Sequence, residues 1–169
     1  MSLTSVGYLP GLWHDFGVTV AGLAGALTGL LFVAVSIRSE VLARSRSLAS
    51  RAAQTLVLFV TPAISAVLLV APQPATALGA ELLTLGLISG LVLVVLDRRA
   101  GHDPTNGVAR YIERASPNSV TAVLVAIAGV SYLVKAGGGL YWMIPAVLAG
   151  LVGGLINAWL FLVKVPDDG

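Results

Sequence analysis

The chain has 169 residues, of which 57% are hydrophobic and 11% charged, and its mean hydropathy is +0.93. An average soluble domain carries roughly 25% charged residues; so sparse a charge leaves no surface that water would keep dispersed, which excludes a soluble enzyme, a disordered chain and a fibrous repeat. A net charge of +2 is no nucleic-acid footprint, and the absence of cysteine excludes disulfides, thiolate metal sites and a cysteine nucleophile.

An apolar exterior is what lipid demands, so the chain reads as an integral membrane protein. A helix needs ~20 apolar residues to cross the hydrocarbon core. Five runs of that order make the fold class an all-α, polytopic helix bundle in one domain: 17–37, 52–71, 78–96, 119–134 and 140–163. The first opens on His14 and Asp15 and repeats Ala21, Gly25 and Gly29 at four-residue spacing, with Thr28 near mid-depth. A basic loop with Arg38, Arg44, Arg46 and Arg51 leads to the second, where Pro62 removes a backbone donor beside Thr55, Thr61 and Ser65, whose hydroxyls are placed to satisfy the freed group. The third has Glu81 in its first turn, then Gly86, Ser89 and Gly90.

The next loop carries Arg98, Arg99, Arg110 and Arg114, and its 108–115 stretch has one apolar face suited to lying on an anionic leaflet. The fourth run is separated from the fifth only by Lys135, Ala136 and three glycines, Gly137 to Gly139; reading the two as one broken helix would leave four spans. The fifth holds Pro145, expected to bend it, then Ala146, Gly150, Gly154 and, about a turn inside its far edge, Asn157. Tyr8, Trp13, Phe16, Tyr132, Tyr141 and Trp142 gather near one interface and Trp159 with Phe161 near the other, the pattern of an aromatic belt.

Nine of the ten basic residues fall in the 38–51 and 97–118 loops or follow the last span, and Lys135 stands alone on the other side. The positive-inside rule therefore predicts an outer N-terminus and a cytoplasmic C-terminus, with Arg44, Arg46, Arg110 and Arg114 meeting inner-leaflet lipid. A cleaved signal peptide is not expected, because the positive charge follows the first span.

Small residues four apart let helix backbones approach closely in lipid, so Ala21/Gly25/Gly29, Gly86/Gly90 and Ala146/Gly150/Gly154 predict tight packing within one copy or between copies. Charged groups at membrane edges are the default functional candidates, and His14, Asp15, Glu81 and Lys135 fall at the same outer interface, where a carboxylate is placed to pair with the lysine. Deeper there are only Thr28, Thr61, Ser65, Ser89 and Asn157, candidates for an interhelical hydrogen bond or a pore lining. No acid or base lies at the midplane, which argues against ion-coupled transport, and no catalytic or metal-binding motif is present. No cofactor, metal or catalytic residue is expected.

The stretches Trp13-His14-Asp15-Phe16, Val18-Thr19-Val20-Ala21-Gly22 and the run from Ala26 to Ile37 resemble a family of small actinobacterial multispan proteins. Gly138-Gly139-Leu140-Tyr141-Trp142 with Pro145 and Asn157-Ala158-Trp159 is similar to that family's last span. Its members are of uncharacterised function and are often labelled modulators of the FtsH membrane protease. The resemblance implies a bacterial plasma membrane and a protease-associated role, and it brings no catalytic residues.

Together these observations predict a non-enzymatic protein acting through helix packing, as a homo-oligomer or as an accessory subunit of a membrane complex. Its expected partners are lipids, further copies of itself or another membrane protein, and no nucleic acid. The alternative is a small homo-oligomeric ion or solute channel.

Overall fold

The computed structural model describes residues 6–37, 39–100 and 117–163, and every regular element among them is helical. A 3₁₀ turn, Pro10–Trp13, leads into α1 (His14–Ile37), followed by a short α2 (Ser39–Arg44), α3 (Arg46–Val70), α4 (Ala75–Ala100), α5 (Pro117–Val134), a second 3₁₀ turn (Gly139–Trp142) and α6 (Met143–Val163). Among the described residues four stretches are long and apolar enough to cross a membrane, namely Pro10–Ile37, Leu48–Val70, Ala75–Arg99 and Gly139–Trp159; Ser119–Val134 is a shorter apolar helix. The protein is thus a multi-pass membrane helix bundle. Over its 18 residues α5 rises about 27 Å, close to the about 30 Å of a hydrocarbon core.

Helix ends follow local chemistry. The side chain of Ser45 accepts the Leu48 N–H at the start of α3, satisfying one orphan donor of the first turn. At its other end Ala71 turns extended, with ψ 131°, as the residue before a proline must, and the Gln73 amide donates to Leu68 O at 2.8 Å. Pro117 opens α5, where its missing N–H costs nothing.

A Schellman-type turn closes α5: the Ala136 N–H returns to Ser131 O at 3.2 Å while Lys135 takes φ +54°. Gly137, Gly138 and Gly139 continue the turn at φ 82°, 105° and 59°, a left-handed run that side chains with a Cβ resist. This break separates α5 from α6 as two antiparallel elements. Pro145 lies in the first turn of α6, directly after the 3₁₀ turn.

The central helix is α3, which packs on α1, α4 and α6, while α5 is laid against α4 and α6. Half of the apolar window of α3 is buried, against 17% of that containing α1, so α1 stands at the periphery. The core runs through Val20, Ala66, Leu69, Leu82, Val125 and Met143 and is capped by rings. Trp13 and Tyr132 are only 6% and 3% exposed. Trp13 meets Phe16 and Tyr141 edge-on, with centroids 5.6 and 5.1 Å away, and donates to Val6 O at 3.0 Å. These two rings therefore pack inside the bundle, each against an aromatic partner, whereas Trp142 and Trp159 face outward.

Candidate functional site

The glycines divide into two sets according to what a Cβ would meet. At Gly86 it would lie 2.5 Å from the Ala126 nitrogen and 2.9 Å from Ala122 O, so α4 rests backbone-to-backbone on α5. Gly129 returns the contact from α5, a Cβ there falling 2.8 Å from Gly79 O and from the Leu83 Cα. Gly150 meets Pro62 Cγ at 2.9 Å and Leu58 O at 3.0 Å, and Gly154 faces the Phe59 ring. Gly90 has ordinary contact with Ala122 at 3.4 Å, and Ala146 is buried in the core. All of these small residues serve contacts within one copy.

The other set is on α1. A Cβ at Gly22, Gly25 or Gly29 would meet nothing within 4 Å. Ala21 turns inward and packs against the core, so the open stripe runs Val18, Gly22, Gly25, Gly29 and Phe32, spaced by three or four residues along one face. Its two large members are 51% and 70% exposed. From Val18 to Phe32 this face extends about 21 Å, most of a bilayer's apolar depth, with three consecutive turns bearing no side chain to separate a second helix.

Several of the hydroxyls are turned on their own helices. Thr28 donates to Ala24 O at 2.7 Å, Ser65 to Pro62 O at 2.9 Å and Ser89 to Gly86 O at 3.2 Å, the back-bonding that Ser and Thr adopt in apolar surroundings. Thr55 donates to Arg51 O at 2.9 Å. Neither Thr55 nor Ser65 therefore serves Leu58 O, the carbonyl that Pro62 leaves without its helical donor; α6 covers it instead, a Cβ at Gly150 falling 3.0 Å from it. Thr61 and Ser89 line an open apolar groove between α3 and α4 together with Leu56, Ile64, Ile88 and Val92. Asn157 is half-buried on α6, one turn beyond Gly154.

His14, Asp15, Glu81 and Lys135 are all exposed. Only His14 and Asp15 approach each other, with Nδ1 and Oδ1 3.4 Å apart, and among the described residues no ion pair joins Lys135 to Asp15 or Glu81. The expected carboxylate–lysine link is thus not formed. Arg44 ends α2, Arg46 begins α3, and Arg98 and Arg99 lie in the last turn of α4, where cations complement the helix dipole. Arg110 and Arg114 lie outside the described residues.

A feature that sequence spacing did not reveal is the fastening between the N-terminal segment and the α5–α6 turn. The Leu140 N–H donates to Gly7 O at 2.8 Å, the Gly138 N–H to the Tyr8 hydroxyl at 3.1 Å, and the Gly139 N–H to Ser131 Oγ at 2.8 Å. Ser131 Oγ in turn donates to Ala136 O, and Tyr8 stacks on Tyr132 with centroids 6.1 Å apart. The glycines at both ends were the available signal, but nothing in the chain pattern pairs Gly7 with Gly138.

No family model, curated protein or solved structure matches the chain.

Proposed function

We propose that the protein works through helix packing, as a homo-oligomer or as an accessory or regulatory subunit of a membrane complex, with the open face of α1 as its contact surface. The observation that carries this reading is the contrast among the glycines. Gly86, Gly129, Gly150 and Gly154 are filled by neighbouring helices, whereas Gly22, Gly25 and Gly29 offer a smooth strip to a partner that lies outside the monomer. Lipid tails give no hydrophobic drive for association, so close backbone approach at such a strip is the main attraction available between membrane helices. The charge partition favours an orientation with the Arg44 and Arg98 end in the cytoplasm. The family resemblance makes a bacterial plasma membrane the setting and a membrane protease complex a partner to examine.

Native mass spectrometry of the gently extracted protein tests this reading directly. A defined oligomer or a stoichiometric foreign subunit is expected in wild type, and Gly25→Leu or Gly29→Leu should dissociate it while leaving insertion and monomer stability unchanged. A wild-type monomer without partners, or an assembly indifferent to both substitutions, would refute the role given to α1.

A further inference from the structure

The α5 surface away from the α3–α4 groove holds a second concavity, an open groove of about 500 Å³. Its floor is formed by Val123, Ile127, Val130 and Val134, its upper wall by Gly137 and Trp142. The floor follows one face of α5 from Val123 to Val134, about 16 Å at the helical rise, which is half of the about 30 Å hydrocarbon core. A groove of that length, running from the end of a transmembrane helix to mid-depth, matches the acyl region of one leaflet. Trp142 is held as a fixed wall, because its indole N–H is committed to Gly137 O at 2.7 Å.

Lys135 adjoins the groove along the chain. It lies between Val134 and Ala136, both of which line the groove. It is exposed and forms no ion pair among the described residues. Its backbone is also unusual: φ is +54°, and Lys135 is the sole non-glycine residue with positive φ among the described residues, in a turn whose other left-handed positions are all glycine. Glycine is the ordinary occupant of this position after a helix. Lysine at this position bears a backbone cost that glycine would not. None of the residues lining the groove between α3 and α4 is basic, whereas a lysine directly joins two lining residues of the α5 groove.

We propose that the α5 groove is a lipid site that takes one acyl chain of an anionic phospholipid, with the lipid phosphate on the Lys135 ammonium. The apolar floor supplies affinity for any chain, and the lysine supplies headgroup selectivity. This site lies on α5, apart from the α1 contact face, and does not depend on it.

Photo-crosslinking in liposomes locates the lipid where bulk binding to the arginine-rich loops would mask it. Phosphatidylglycerol and phosphatidylcholine probes carrying a diazirine in the acyl chain are compared for labelling of residues 123–134. Wild type should label about fivefold more with the phosphatidylglycerol probe, the factor one basic residue contributes at an anionic headgroup. Lys135→Gly and Lys135→Gln should bring the ratio to one, and Val130→Trp, which fills the floor, should reduce labelling by both probes. Equal labelling in wild type, a preference that survives Lys135→Gly, or a groove shielded from both probes by a second copy would each overturn the proposal.

Discussion

Gly86 and Gly25 offer a paired test of the packing, because the same substitution, glycine to alanine, meets opposite surroundings at the two sites. Added to α4, the methyl group at Gly86 would lie 2.5 Å from the backbone nitrogen of Ala126, and ordinary contact begins at 3.4 Å. The two helices must therefore separate locally by roughly 0.9 Å, and no side-chain rotation relieves the clash, since the three nearest atoms are all backbone. A gap of that size forfeits a quarter to a half of each dispersion contact along the interface, and overpacking of this kind costs about 1–3 kcal/mol. Alanine also gains about 1 kcal/mol of helix propensity over glycine, but it does so at Gly25 as well, where the new methyl group meets nothing. The propensity gain cancels in the comparison. Gly86→Ala should be less stable than Gly25→Ala by about 1–3 kcal/mol, read from equilibrium unfolding in mixed detergent–SDS micelles by tryptophan fluorescence. Equal shifts for the two variants would show that α4 and α5 do not touch backbone-to-backbone at Gly86.

Two further substitutions address the turn. Ser131→Ala removes the acceptor of the buried Gly139 N–H and should cost about 1–3 kcal/mol in the same unfolding assay; an unchanged midpoint would mean the turn is held by its backbone alone. Lys135→Gly relieves the left-handed φ and should stabilise the monomer by about 1 kcal/mol even as it removes lipid selectivity, and destabilisation would show that the lysine contributes a structural contact.

The spans were legible because hydropathy and helix length are both local properties. All five expected runs fall on helices, with boundaries extended where caps such as Ser45 and Pro117 let the helix begin earlier. Which glycines matter to the monomer was not legible. Gly25/Gly29, Gly86/Gly90 and Gly150/Gly154 share one spacing, yet the first pair faces open space, the second touches α5, and the third receives Leu58, Pro62 and Phe59. A four-residue repeat marks a face without saying which way that face turns. Gly129 is packed as tightly as any of them, but its neighbours at that spacing are Val125 and Leu133, so no pattern announces it. The burial of Trp13 and Tyr132 was not legible for a related reason: an outward ring and a core ring near a helix end occupy the same stretch of sequence, and only their partners distinguish them.

The bond from the Gly138 N–H to the Tyr8 hydroxyl joins residues 130 positions apart. During synthesis the first helix must enter the bilayer long before its clasp exists, because Gly138, Gly139 and Leu140 are made only after four helices have been threaded. Until then α1 has lipid on most of its surface and only α3 to hold it, through Gly17 against Ala66 and Val70. Among the described helices α1 is thus made well before the turn that fastens its N-terminal end, and the clasp bears the loop-closure entropy of a 130-residue separation.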